Sequence, residues 1–215
     1  MATRPPILIV ISTFNRRDLT GISLDSIKRN KSPLSDVLVL DDASTDYSIA
    51  WLNHWRFKVQ VSGVPVGVGL AAFRRYQEFV LSGYDYLCAL DNDVLLGWHF
   101  DTAMLRLFQL ANDDNLTVLS GYLSTTQKVL AAFPDYYRVD CIGGISHFTD
   151  RSTALRILDG MENKWQHPWD ANVSRILSQI VAPKRSLVQH LGIHGTGVNG
   201  ISQDVAVNFV GDGRA

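Results

Sequence analysis

The 215 residues are 46% hydrophobic and 19% charged, with 20 basic and 21 acidic side chains and a formal net charge of -1. That balance belongs to a globular chain. It excludes a disordered or fibrous protein and offers no electrostatic footprint for nucleic acid or an anionic surface. Only two cysteines occur, Cys88 and Cys141, with no metal-type spacing, and a chain this long hides roughly 70% of its surface on folding, so its core needs no disulfide.

Short apolar runs alternate with amphipathic stretches, the pattern of βα units on a largely parallel sheet. Residues 7–11, Ile-Leu-Ile-Val-Ile, read as a first strand. A helix follows, with Asp18 near its start and Leu19, Ile22, Leu24 and Ile27 as its apolar face. Residues 37–40 read as a second strand, Ser44 and Asp46 offer caps for a short helix through Ile49, Ala50 and Leu52, and residues 57–61 alternate as a third strand. After a glycine-bearing turn, residues 70–81 form a helix that Ser82-Gly83 stops. Residues 84–90 are a fourth strand, in which Cys88 reads as a small buried hydrophobe. Residues 99–111 are helical and 117–120 a fifth strand.

Beyond residue 121 the rhythm weakens. Residues 129–133 and 137–141 read as an antiparallel pair, with Gly143-Gly144 after them. Helices are predicted near 152–158 and 170–181, then a strand at 186–191 and a loop-like, glycine-rich tail from Gly192. Nothing approaches the 18 or so consecutive apolar residues of a spanning helix. The reading is one α/β domain over residues 1–215, cytoplasmic, without an intrinsic membrane span, its nucleotide-type half at about 1–110 and a less regular half at about 111–215.

In open α/β sheets ligands bind at the carboxyl ends of the parallel strands. Three polar clusters fall there: Ser12-Thr13-Phe14-Asn15, Asp41-Asp42-Ala43-Ser44 and Asp91-Asn92-Asp93. Each alone reads equally well as a helix cap or a loop. Three on one rim, each directly after a buried strand, are hard to assign to chance. Two carboxylates at i and i+2 can both reach one hard cation, Mg²⁺ or Mn²⁺, which keeps positions open for substrate phosphates.

The series from Ile7 to Asn15, from Val37 to Asp46 and from Gly83 to Val94 resembles the family 2 glycosyltransferases and their GT-A relatives, over roughly residues 7–110. The resemblance implies a GT-A fold, a mostly parallel central sheet flanked by helices, and a nucleotide-diphospho-sugar donor. It implies that Thr13 and Asn15 line the nucleotide pocket and that either Asp41 or Asp42 accepts from the base N–H, which favours UDP or dTDP over a purine. Asp91, with Asn92 beside it, approaches the ribose or the metal's water shell, and Asp93 binds the metal directly. Gly67-Val-Gly69 fits the family's glycine-rich segment. Its usual Arg-Asn pair is replaced by Ala72-Phe73, and Arg74 and Arg75 stand just after, Arg74 being the candidate contact or an ordinary solvated residue.

In the second half, relatives place a carboxylate at a helix start, often as Glu-Asp, with an arginine further on. Pro168-Trp169-Asp170 and Arg175 occupy that place, with Trp169 where the glutamate stands. Asp170 is then the base that deprotonates a glycan or other hydroxyl acceptor, giving inversion; the plain alternative is a helix cap. Asp150 and Asp135 are weaker candidates. His190, at the end of the last strand, is a further metal ligand by the same resemblance, and His194 an alternative that reaches the diphosphate from a loop. Trp165 and Trp169 are kept in view as sugar-facing rings, and Gly143-Gly144 as either a turn or a close backbone approach. A retaining transferase and a sugar-nucleotide-binding module without catalysis stay open. A nucleotidylyltransferase ranks below both, because no glycine precedes Gly21 in the loop after the first strand. The compact length also suits one domain of a longer multidomain protein.

Overall fold

Alternation along the first strand divides the core in two. In β1 (Ile7–Thr13), Ile7, Ile9 and Ile11 face one side and Leu8 and Val10 the other, none more than 4% exposed. A computed structural model describes residues 6–112, 116–166, 168–191, 206–209 and 211. The remaining elements are α1 (Arg17–Asn30), β2 (Ser35–Asp41), α2 (Ile49–Asn53), β3 (Lys58–Val61), α3 (Val68–Ser82), β4 (Tyr86–Asp91), β5 (Val94–Leu96), α4 (Phe100–Ala111) and β6 (Thr117–Ser120). After them come β7 (Val129–Ala132), β8 (Tyr136–Val139), β9 (Ser146–Asp150), α5 (Arg151–Gly160), α6 (Trp169–Ser174), β10 (Gln179–Pro183) and β11 (Val188–His190).

Nine strands form one sheet in the order β3-β2-β1-β4-β9-β6-β10-β8-β7. Its run of parallel neighbours, β3 to β4, continues through β9 and β8, which alone point the other way. On one face the strands pack against Leu24 and Ile27 of α1 and Phe100, Met104 and Phe108 of α4; on the other, against Ala72, Tyr76 and Phe79 of α3, Ile157 of α5 and Trp169 of α6. Cys88 is the buried hydrophobe expected, its thiol 3.7 Å from the Met104 sulfur, and neither cysteine forms a disulfide. Among the described residues no helix is long and apolar enough to cross a membrane.

The structure departs from the sequence reading in three places. Helix 170–181 ends at Ser174, and Gln179–Pro183 is instead β10, between β6 and β8 inside the sheet. Ile176 and Ile180 keep a helix-like spacing from Val173, but Ile176 packs on Gly160, and the β-branched pair Ile180-Val181 is buried in the sheet. A second departure is β9, a central strand with the sequence Ser-His-Phe-Thr-Asp.

The third is β5, three residues long, which pairs with β11 on one side only. Polar side chains of α1 complete its other edge. The Ser23 hydroxyl donates to Val94 O (3.1 Å) and accepts from Val94 N (2.8 Å), Ser26 Oγ accepts from Leu96 N, and Asn30 Nδ2 donates to Leu96 O. Thus the buried face of α1 carries serines and Asn30 beside Leu24 and Ile27, while Ile22 turns outward.

His147 of β9 is fully buried against the Tyr76 ring (centroids 5.3 Å apart), and neither ring nitrogen has a protein partner. Burial first, and the Arg75 charge second, hold its pKa well below the ordinary 6.5. The folded protein therefore refuses a proton that the unfolded chain accepts once the pH falls through about 6.5, and stability is lost on the acid side. Between about pH 7.5 and about pH 5.5 this group is expected to cost about 1.4 kcal/mol. Urea midpoints at the two pH values should show that drop in the native protein and a smaller one in His147→Gln; equal drops would remove His147 as the cause.

Candidate active site

Strand register brings the polar clusters into one row. Thr13 pairs with Asp41 across β1 and β2, and Ser12 pairs with Asp91 across β1 and β4, so all three motifs end at the same carboxyl rim. Two clefts of about 440 and 590 Å³ lie at the opposite, amino ends of these strands, beside Tyr86 and Asp150 and beside Leu8 and Asp36. Neither cleft is lined by the rim motifs.

The β2 corner is a closed hydrogen-bond cluster. Asp41, 3% exposed, accepts from Thr13 Oγ1 (2.9 Å), Ser44 Oγ (2.6 Å), Ser44 N (3.0 Å) and the Tyr47 hydroxyl (2.8 Å). Asp42 accepts from the backbone of Val66 (2.8 Å) and of Gly67 (3.0 Å), fastening the loop that opens α3. Gly67 sits at φ +84°, a conformation that glycine adopts without strain. Asn15 bridges to the same corner: its N–H donates to Ser44 Oγ, and its Oδ1 accepts from Thr45 N. Both Asn15 and Arg16 hold left-handed backbone, at φ 51° and 55°. Two successive non-glycine residues in that region mark a turn held open by its surroundings. Phe14, between Thr13 and Asn15, is 47% exposed.

At the β4 end the three residues of the Asp-x-Asp motif diverge. Asn92 turns inward and donates to Thr20 Oγ1 (2.8 Å) and Asn15 O (3.3 Å), so it braces α1 rather than facing a ligand. Asp91 accepts from Arg75 Nη1 at 2.8 Å. Asp93 Oδ2 receives Arg16 Nη1 at 2.6 Å and lies 3.2 Å from His190 Nε2. Burial works against the Asp93 charge, but the His190 hydrogen bond and the charges of His190 and Arg16 outweigh it and hold the pKa below the usual carboxylate value. Burial pushes Asp91 up to about 6 against the pull of Arg75, with Asp93 adding to the rise. Beside Asp93, Asp91 is the carboxylate that more readily keeps a proton.

Of the arginines, the structure brings Arg75 to the rim, while Arg74 turns to the Ser62 hydroxyl in the loop after β3. Helical spacing signals this: Ala72, Arg75, Tyr76 and Phe79 share the buried face of α3, and Arg74 lies off it. Arg75 is 1% exposed. Arg16 is a second residue that motif reading left unassigned. His190 stands at the end of β11, opposite Val94, as the strand placement predicts; His194 lies outside the described residues.

Asp170 lies in the first turn of α6 and is not its cap. Pro168 takes that position without a side-chain bond, and the Asp170 carboxylate accepts from Ala171 N (2.9 Å). Gly144, beside β4 through the bond from Asp91 N to Ile145 O, ties this helix to the rim: a methyl built there would lie 3.3 Å from the Trp169 ring and 3.7 Å from Asp170 Oδ2. A methyl on Gly143 would strike the Tyr122 ring. The pair therefore serves close packing at the rim. Asp150 caps α5 through Thr153 N (2.7 Å) at the amino end of β4, away from the rim, and Asp135 is exposed on the β7–β8 turn at the sheet's far edge. Trp165 and Trp169 are 6% and 4% exposed, so neither offers an open ring to a sugar.

As a cation site, Asp93 and His190 supply one hard oxygen and one nitrogen that already converge. Asp91 is engaged by Arg75 and Asp93 Oδ2 by Arg16, which a cation at that oxygen would displace, and among the described residues no three His, Cys, Asp or Glu side chains form a closed metal cage. Such a partial shell fits a Mg²⁺ or Mn²⁺ that takes its remaining ligands from water and a diphosphate.

The chain shares its fold with proteins that handle nucleotide sugars. It superimposes on a crystal structure of GalNAc-T7 with UDP, GalNAc and Mn²⁺ at a TM-score of 0.69 and 10% identity, over 88% of this chain and 44% of that one. It superimposes on S. aureus TarS residues 1–349 in complex with UDP at 0.62 and 14% identity, over 85% and 59%. In sequence it is 29% identical over 122 residues to the poly(ribitol-phosphate) beta-glucosyltransferase of Bacillus spizizenii, across 54% of this chain and 19% of that protein. The chain thus spans about a fifth of that relative's length and about half of the solved chains'. The model of the family described as glycosyl transferase family 2 matches residues 8–138, which runs from within β1 into β8 and includes all three rim motifs. That match covers more than half of the chain, and the protein belongs to glycosyltransferase family 2 and has the GT-A fold.

Proposed function

We propose that the chain transfers a sugar from a UDP- or dTDP-sugar to a hydroxyl acceptor, with inversion, using Asp170 as base and a divalent cation at Asp93 and His190. The observation that carries this reading is the single rim on which Asp93, Asp91, Thr13 and Asp41 meet two arginines and a histidine. Lone-pair counting supports Asp42 over Asp41 for the base contact. A carboxylate has about four acceptor sites, and Asp41 already takes four donors from its own chain, whereas Asp42 takes two backbone amides. Asp42 is thus the better acceptor for a pyrimidine N–H, and the exposed Phe14 supplies a ring for the base to stack on. Bound at Asp93 and His190, the cation supplies Lewis-acid stabilisation of the departing diphosphate. Arg16 and Arg75 hold positive charge on the same side of the rim. The relative's name supports inversion, since a β-glucoside made from the usual α-linked nucleotide donor requires a single displacement.

Calorimetric titration with UDP, dTDP and GDP, each with Mn²⁺ and again with EDTA, tests the donor site. UDP or dTDP should bind only with metal, and Asp93→Ala should weaken that binding by about tenfold or more. A folded protein that binds none of the three would end the reading. Tight nucleotide binding with no turnover of any donor would leave a binding module in its place.

A further inference from the structure

Arg75 is a buried cation with two neighbours of different kinds. Its Nη1 donates to Asp91, while the Trp169 ring lies over its guanidinium at 5.4 Å. Its Nε has no hydrogen-bond partner, so the aromatic face is what covers the rest of the charge. Trp169 also packs on Gly144 and stacks against Trp165 at 6.4 Å. Trp165 in turn meets Phe73 and Tyr76 of α3. The helix that Trp169 opens is six residues long and lacks a side-chain cap, so tertiary contacts alone set its direction.

We infer that Trp169 is a positioning residue, coupling the Asp91–Arg75 pair at the donor end of the rim to the short helix that carries Asp170. This rests on the proposed donor site and on Asp170 as base. The chain of contacts is short: Asp91 to Arg75 by an ion pair, Arg75 to Trp169 by a cation–π contact, Trp169 to Asp170 by one peptide bond. A diphosphate arriving beside Asp91 changes the electrostatic load on Arg75, and through the ring above it the order of α6. Coupling of this kind is reciprocal, so a base helix fixed by acceptor also favours donor.

Hydrogen exchange of the α6 amides, followed by mass spectrometry with and without saturating UDP and Mn²⁺, reads the coupling without an acceptor. In the native protein UDP should slow exchange at residues 169–174 by about tenfold. Trp169→Met, a smaller apolar side chain with no ring, should keep UDP binding within about threefold and reduce the slowing to under about twofold. Trp169→Phe should restore it. Should the methionine variant not fold, Arg75→Lys reads the same link at a UDP concentration that calorimetry shows to saturate that variant, since lysine keeps the charge but loses the flat guanidinium, and the slowing should again vanish. Undiminished slowing in the variants, or UDP binding that leaves α6 exchange unchanged in the native protein, overturns the inference. Absence of UDP binding would instead overturn the donor-site reading. Normal transfer by Asp170→Asn would overturn only the assignment of the base.

Discussion

Replacing Asp170 with asparagine is expected to lower the transfer rate by roughly 10²- to 10⁴-fold while leaving UDP affinity unchanged. The two halves of that expectation come from separate features. On the proposed donor site the charge is carried by Asp91, Asp93, Arg16, Arg75 and His190, none of which Asp170 touches among the contacts seen. Asparagine is close to isosteric and keeps an oxygen to accept from Ala171 N, so α6 should stay in place. What it loses is the ability to take a proton from the acceptor hydroxyl as that oxygen attacks. The check is the turnover number of a donor that the native protein uses, measured beside UDP calorimetry on both proteins. A fall in turnover with constant affinity supports the base. Unchanged turnover would pass the role elsewhere, and a parallel fall in affinity would mean that Asp170 shapes the donor pocket.

The first half of the fold was legible because its strands are continuous buried runs. Residues 7–11, 37–40 and 84–90 have few polar positions, and the rim motifs stand at their ends. The strands that escaped notice lack such a run. Three residues are too few for a pattern, and β5 exists because Ser23, Ser26 and Asn30 of α1 complete its edge. In β9 the buried side chains include Ser146, His147 and Thr149, which at the centre of a sheet imitate a surface loop. Helical spacing from Val173 to Ile180 concealed β10 for the opposite reason: two competing periods share the same apolar residues.

The site divides in the same way. Asp91, Asp93, Thr13, Asp41 and His190 could be placed from strand ends. The roles of Asn92 and Arg16 could not, because they depend on how α1 lies against the Asp-x-Asp segment. Arg75 was within reach: a charged residue on the buried face of a helix calls for a buried partner, and Asp91 is the carboxylate that supplies it.

Gly69→Ala should destabilise the protein by about 3 kcal/mol or more, the reverse of what helix propensity alone gives. In an exposed helix interior the substitution gains up to about 1 kcal/mol. Here a methyl on Gly69, in the first turn of α3, would lie 1.5 Å from the Trp165 carbonyl oxygen and 2.7 Å from its carbon. Both are backbone atoms, so no side chain can swing aside, and the segment must retreat by roughly 2 Å to reach ordinary contact. The segment leads into Trp169 and Asp170, so on the proposed role of Asp170 the cost is shared between folding and chemistry. A loss of about 3 kcal/mol corresponds to a fall in Tm of roughly 6–12 °C at this size, and a base displaced by about 1 Å can lose about 10²-fold in rate. Gly63→Ala is the control, since nothing lies within 4 Å of its added methyl and its backbone is not left-handed; its stability should stay within about 0.5 kcal/mol of the native protein. Thermal melts of the two variants decide the matter. Equal melting temperatures would mean that the junction between α3 and the Trp165 segment yields freely, and that the close approach at Gly69 does not hold the base helix in place.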